Sequence, residues 1–559
     1  MKAVLKIFGV LIAAMGGYVL LSSFLAGTLP MRGTQVGPAL RFPWRQAGLT
    51  ERQAAAHLLS RFTYGAMPGQ VDAVVKMGLE NWFAQQLAAQ APDDSLEQIL
   101  SRYDALELSN EQVAETYPRN GQVIRMAIRD GVVDKDSVKA DRKEYRQVIE
   151  QYMQEKGYKR QQELFRQFFC QKILRAAYSE NQLQEVMTDF WFNHFNVSLT
   201  KNDCAEFIPA YERDVIRPNA LGRFNELLLK TAKSPAMLYY LDNFSSSGPA
   251  RDTAQKRARG LNENYAREVM ELHTLGVDGG YTQQDVTEAA RVLTGWGVRL
   301  GEDGDFFFNA NRHDKGEKVV MGHVFPAGGG YEEGVDLLNM LAHHPSTAKF
   351  ICHKIAVRFV NDDPPATLVD KMANTFIEKN GDIRQVLITM VSAPEFWSAG
   401  ALREKTKSPF ELAIGAVRSL HATIDQPMQL YNWVTRMGER EYYYQAPTGF
   451  PDKGAYWINT GSLLSRMNFG LALAAGRISG VRVDLLALNH GHEPESARAA
   501  LLIYGHLILP ERNLDATVKR LTPMLNERDS TMTTPAVEGD PMLAQVVGII
   551  IGSPEYQRR

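Results

Sequence analysis

The chain has 559 residues, 45% hydrophobic and 23% charged, which is ordinary globular composition and enough length for a large core and two packed subdomains. Its formal net charge of −2 gives no bulk attraction for nucleic acid, and none is expected as a partner. Cys170, Cys204 and Cys352 are widely spaced, form no Cys-x-x-Cys pair and are odd in number, so they read as buried free thiols rather than a disulfide framework.

Lys2 and Lys6 precede an uncharged run of 25 residues, Ile7 to Met31, and Arg32 follows it. A basic flank followed by an apolar run addresses the chain for export. A cleaved signal has an apolar core of about 7–15 residues and small residues at its cleavage site. Here the run is longer, and Phe24 or Leu25 stands where a small residue is wanted. The run is long enough for a spanning helix, which needs about 20 residues. Residues 1–31 are therefore expected to be an inner-membrane signal anchor with the body in the periplasm. The alternative is a cleaved signal peptide and a periplasmic or secreted protein. Residues 32–48, with Gly33, Gly37, Pro38 and Pro43, read as a linker.

The globular body begins near Leu49. Thr50 caps a first helix, Gly65 to Gly69 break it, and a second runs from Val71 to Leu87. The charge-rich stretch 130–163 reads as a solvated helix face. From Gln182 to Val197 a helical period places Glu185 and Asp189 on one face and Met187, Phe190 and His194 on another. Asn193 and His194, among aromatics at its end, are candidates to point into a cavity. A hydrogen-bonded core histidine is the plainer reading.

The densest set of polar groups lies in residues 261–297, read as helix, tight turn, helix. On a helical wheel Asn264, Arg267, Glu268 and Glu271 share an arc of roughly 100°, with Tyr265, Ala266, Val269, Met270 and Leu272 opposite. His273 falls within the apolar arc and so reads as a core histidine. Gly276, Gly279 and Gly280 stop the first helix near Leu275. Thr282 and Asp285 have capping-box spacing for the second. A calcium loop is rejected, because Thr274 and Gly276 would fall where oxygen-rich ligands are needed.

Phe306 to Phe308 and Lys318 to Met321 flank Asn311-Arg312-His313-Asp314-Lys315-Gly316, and 305–322 is expected to be one β-hairpin with His313 and Asp314 at its tip. Gly328 to Gly330 lack the Gly-Lys-Ser/Thr sequel of a phosphate loop. The remainder reads as helices, including Pro345 to Val360, Pro409 to Leu420, Trp457 to Ala475 and Met542 to Ile551. The expected fold is mainly α: a large multi-helix globular body with one small β-hairpin, preceded by an N-terminal membrane helix. An N-terminal helical subdomain covers 49–400 and a C-terminal one 401–559. One internal echo runs across them. Apolar helices stop at Pro235, Pro394 and Pro554, and Gly222 and Gly381 each stand 13 residues before their proline.

The chain resembles the bacterial family called domain of unknown function 1800 (DUF 1800). The resemblance is carried by His57-Leu58-Leu59-Ser60-Arg61 with Tyr64-Gly65, by Phe190-Trp191-Phe192-Asn193-His194-Phe195, and by Asn262-Glu263-Asn264-Tyr265-Ala266-Arg267-Glu268 through Gly279-Gly280-Tyr281-Thr282. His313-Asp314 with Gly316 and Lys318, Pro447-Thr448-Gly449-Phe450-Pro451-Asp452, Trp457 and Asn459 complete it. It spans roughly residues 50 to 557 and implies an exported, mainly helical protein. It also implies a possible partner from the family called domain of unknown function 1501 (DUF 1501), similar to alkaline phosphatases and sulfatases. It supplies no agreed activity.

Two function classes follow. The first is a hydrolase or lyase acting on a cell-envelope or extracellular polymer, with Glu268, Glu271, His194, His313 and Asp314 as catalytic candidates. Carboxylates would serve as acid and base, or a histidine and carboxylates would hold a divalent metal as cofactor, although Glu-x-x-Glu-x-His matches no standard zinc signature. The second is a non-catalytic scaffold or accessory protein of an exported pathway, in which Asn264, Arg267, Glu268 and Glu271 form a buried ion-pair brace. If the candidates point to separate surfaces, the site is to be sought around Asp452, Trp457 and Asn459.

Overall fold

The computed structural model describes residues 40–134, 142–201, 204–249, 260–299, 305–526 and 541–559. The apolar run from Ile7 to Met31 and the linker up to residue 39 lie outside the described residues. Among the described residues no helix is long and apolar enough to cross a membrane. The chain divides after Arg41, and Phe42–Arg559 cluster as one unit.

That unit is a multi-helix assembly, and its helix ends follow local chemistry. Thr50 caps the Glu51–Phe62 helix through a reciprocal bond with Gln53, and Thr282 does the same for Gln283–Val292 through Asp285. Each device satisfies two backbone N–H groups that a helix start leaves orphaned. Trp191, Trp296 and Trp397 are fully buried, and Phe396 packs on Trp397 and on Phe62, which packs on Phe83. All three cysteines are buried, and no disulfide joins them. The two sequence halves interlock, since the Gln161–Tyr178 helix packs on Pro409–Ser419 and Pro427–Arg436.

The expected single hairpin at 305–322 is a correction. Phe306–Phe308 pairs antiparallel with Trp296–Val298, and Lys318–Val320 pairs with His323–Phe325. The tight turn belongs to Met321 and Gly322, with φ of 49° and 81°, the left-handed pair that a two-residue hairpin loop requires. Residues 309–317 are held instead by side chains, as described below. A third small pair joins Thr423–Ile424 to Val481–Arg482.

The three prolines of the internal echo each open a short helix after the stop. These are Pro235–Tyr240, Pro394–Trp397 and Pro554–Gln557, each with its proline at the first turn, where a missing N–H costs nothing.

Candidate functional site

The central motif starts as α-helix, Asn264–Glu268, and continues as a π-helical turn, Val269–Thr274. Such turns shift the phase of the side chains that follow, and they are frequent at functional sites. Tyr265, Ala266, Val269 and Met270 are buried, as the wheel requires. Glu268 and Glu271 are half-buried, and among the described residues neither makes an ion pair. Burial, and then the neighbouring Glu271, raise the Glu268 carboxyl above its ordinary range. Glu271 has only the Tyr281 hydroxyl at 3.5 Å. The expected brace is therefore not built. Arg267 bonds Glu263 at 3.2 Å and Gln283 at 2.9 Å instead, and Asn264 donates to the Leu241 carbonyl.

His194 and His273 meet in the core with ring centroids 6.1 Å apart. His194 Nε2 lies 3.1 Å from the His273 carbonyl, while among the described residues His194 Nδ1 and His273 Nε2 are buried without a partner. Burial, with Lys354 nearby, lowers both and takes His273 to about 3. They are neutral rings at neutral pH.

His313 and Asp314 stand apart from this pair, in an open cleft with Arg291 and Lys315. His313 Nδ1 is 2.9 Å from the Thr294 carbonyl and Nε2 is 3.1 Å from Glu333, which also accepts from Lys318 at 2.6 Å. Arg291 pairs with Asp314 at 2.7 Å. These bonds fix the 309–317 segment and leave His313 no free ring nitrogen. The structure thus brings His194 to His273 but does not join them with His313 and Asp314. Among the described residues no group of three or more His, Cys, Asp and Glu side chains is arranged to hold a metal ion.

A different cavity, of about 70 Å³, forms where the Gln182–His194 helix, residues 444–452 and the start of the Pro409–Ser419 helix converge. Its frame is a side chain that imitates backbone. Asn193 Nδ2 donates to the Phe450 carbonyl at 2.9 Å, and the Phe450 N–H donates to Asn193 Oδ1 at 2.7 Å. Asn196 donates to the carbonyls of Ala446 and Tyr444. Gly449 passes so close that a Cβ there would lie 2.2 Å from the Asn193 carbonyl oxygen, and its φ is +68°. Only glycine fits both conditions.

Charged side chains line this cavity. Glu439 is buried and accepts from the Phe410 N–H at 2.6 Å, and among the described residues it has no ion-pair partner. Burial, and then Glu441, push its carboxyl well above the carboxylate range. Burial also pushes Glu441 up to about 7, although Lys172 lies 3.5 Å away. Lys172 is bound more closely to Asp189, at 2.6 Å. In the same lining Arg358 and Arg559 both pair with Glu411. Burial opposes ionisation of Glu411, but the two guanidinium groups and the Ser408 N–H outweigh it and bring the carboxyl down to about 2. Among the described residues Arg358 Nη2 makes no hydrogen bond, with Asp189 Oδ2 4.0 Å away. Asp452, held by Lys354 at 3.1 Å, and Trp457 complete the lining. The site thus holds carboxyls pushed in opposite directions beside a guanidinium with a donor to spare, an arrangement suited to proton transfer.

The family model described as "Protein of unknown function (DUF1800)" matches residues 57–558. The chain belongs to the DUF1800 family. No curated protein and no solved structure matches it. In this DUF1800 member the Phe190–Phe195 and Pro447–Asp452 motifs, about 250 residues apart in sequence, are the two strips that Asn193 ties together. Glu439 and Glu441 escaped sequence reading because Gly438-Glu439-Arg440-Glu441 has the look of a solvated loop. The one available signal was the Ser408-Pro409-Phe410-Glu411 capping pattern, which marks the helix start that Glu439 meets.

Proposed function

We propose that this DUF1800 protein is an enzyme, a hydrolase or lyase working by general acid–base catalysis in the cavity walled by Glu439 and Glu441. The observation that carries the reading is Glu439. It is a buried carboxyl that makes no ion pair among the described residues; burial and then Glu441 raise it well above the carboxylate range, and Glu441 is itself pushed up to about 7. An acid–base catalyst works best when its pKa is near the ambient pH, and such groups contribute about 10²–10⁴-fold in rate. Glu441 can take or give a proton there. Glu439 can donate one, and Arg358 can stabilise negative charge that develops opposite them. The half-buried Asn193, Thr406, Pro451 and Asp452 connect the cavity with the surface. The apolar N-terminal run supports an inner-membrane anchor or an exported location, and with it a cell-envelope or extracellular polymer as substrate; a DUF 1501 type partner rests on the family resemblance.

A second reading places the chemistry at Glu268 and Glu271, two unpaired, accessible carboxylates on a π-helical turn. A scaffold role keeps one supporting feature, the ion network running from Lys172 through Asp189 and Arg358 to Glu411. Glu439→Gln, Glu441→Gln and Glu268→Gln, scored for turnover of envelope polysaccharides and peptides together with thermal midpoint, separate the three. Loss of turnover in both Glu439→Gln and Glu441→Gln at unchanged midpoint supports the proposal. Loss confined to Glu268→Gln moves the site to the central motif. Unchanged turnover in all three removes acid–base catalysis at either place.

A further inference from the structure

Behind the Glu411–Arg559 wall lies a second cavity, of about 300 Å³, between the Glu51–Phe62 helix, residues 399–411 and residues 508–512 and 556–559. Its charge is one-sided. Arg403, Lys407, Arg512, Arg558 and Arg559 line it against a single side-chain carboxylate, Glu411. That carboxylate is already occupied by Arg358, by Arg559 at 2.8 Å and by the Ser408 N–H at 3.0 Å.

Lys407 is the decisive residue. It is only 8% exposed, its Nζ sits 3.7 Å over the Tyr556 ring, and among the described residues no carboxylate pairs with it. Burial, and then Arg512, push its ammonium well below the usual lysine range. Burying a cation without a counter-charge costs several kcal/mol; the Tyr556 ring offsets part of that at Lys407, and an anion in the cavity would offset more. Leu49, Leu402, Ile508, Leu509 and Pro510 add an apolar stretch to a lining that also holds Gln53, His57 and Ser60.

We infer that this cavity binds an organic anion, with a carboxylate or phosphate head group between Lys407, Arg403 and Arg512 and an apolar body along Ile508, Leu509 and Pro510. Guanidinium forks and a buried ammonium are suited to either head group. The site is separate from the carboxyl-lined cavity and shares with it only the Glu411–Arg559 wall, so binding is read without any catalytic assay.

The test is calorimetric titration of the full chain with hexyl phosphate, hexanoate and hexanol. One saturable site is expected for at least one of the two anions, with hexanol at least about tenfold weaker, and the stronger anion identifies the head group. Lys407→Met should weaken that binding at least about tenfold, because it keeps the packing and removes the charge. Arg403→Gln, at an exposed position where folding is not at risk, should weaken it several-fold. Binding of neither anion, hexanol binding as tightly as the anions, or wild-type affinity in both variants would each overturn the inference.

Discussion

Arg223 and Asp382 pair as an isolated antiparallel bridge between two turns of related sequence. Phe224 N–H donates to the Gly381 carbonyl at 2.9 Å, and Ile383 N–H donates to the Gly222 carbonyl at 3.1 Å. The paired positions, 223 and 382, have the same separation as Pro235 and Pro394. The two turns of the internal echo therefore face each other around a local pseudo-twofold. The symmetry is incomplete, because φ is +71° at Gly381 and is not in the left-handed region at Gly222. Gly381→Ala should cost about 1–2 kcal/mol from backbone strain, with Phe224 Cβ only 3.3 Å from the added methyl. Gly222→Ala should cost less. Denaturant midpoints compare them, and equal losses would remove the asymmetry.

Asn193 offers a cleaner separation of structure from chemistry. Asn193→Ala leaves the Phe450 N–H and carbonyl without their partner, at about 1–3 kcal/mol. Asn193→Asp keeps an acceptor for the N–H and sets a carboxylate against the carbonyl, so it should be no better than alanine. Thermal unfolding of both variants checks the order. An aspartate variant as stable as wild type would mean that the donated half of the clamp contributes nothing.

Helices were legible because their signals are local. Thr50, Thr282 and Ser408 announce helix starts within four residues, and the wheel correctly buried Tyr265, Val269 and His273. The hairpin misled because an aromatic run marks a strand without naming its partner: Phe306–Phe308 pairs with Trp296–Val298, at the end of the stretch 261–297 read as helix, turn, helix. The carboxyl-lined cavity was only half legible. Asp452 and Trp457 belonged to a recognisable motif, whereas the character of Glu439 comes from burial against Phe410 and Glu441. No periodicity encodes burial contributed by residues distant in sequence.

Glu441 makes a pH prediction. A carboxyl whose folded pKa lies above its unfolded value holds its proton more tightly in the native state. Its contribution is therefore greatest below the unfolded value, about 4.3–4.5, and is lost as pH rises toward about 7. Glu441→Gln cannot ionise, and Lys172 keeps Asp189 as its partner in the variant. The variant should thus gain stability relative to wild type as pH is raised from about 5 to about 8. Urea unfolding across that range is the measurement. Parallel curves for the two proteins would place the Glu441 pKa in the ordinary range.

Glu411 should behave in the opposite sense. Its folded pKa, about 2, lies below the unfolded value, so its stabilisation is present above about 4.5 and lost as pH falls toward about 2. Both Arg358 and Arg559 pair with it, and removing one member of a buried pair costs about 3–5 kcal/mol because the remaining charge is stranded. Glu411→Gln keeps the shape and the Ser408 capping geometry while removing the charge. It should cost at least that much at neutral pH and less near pH 3, where the unfolded-state carboxyl is already protonated and much of the ionic stabilisation is gone. A loss that does not shrink with acidification would assign the cost to packing rather than to charge. Pairing Glu411→Gln with Arg358→Met separates the terms further. If the damage comes from stranded guanidinium charge, the double variant should recover part of the stability lost in Glu411→Gln alone, and simple additivity would refute that origin.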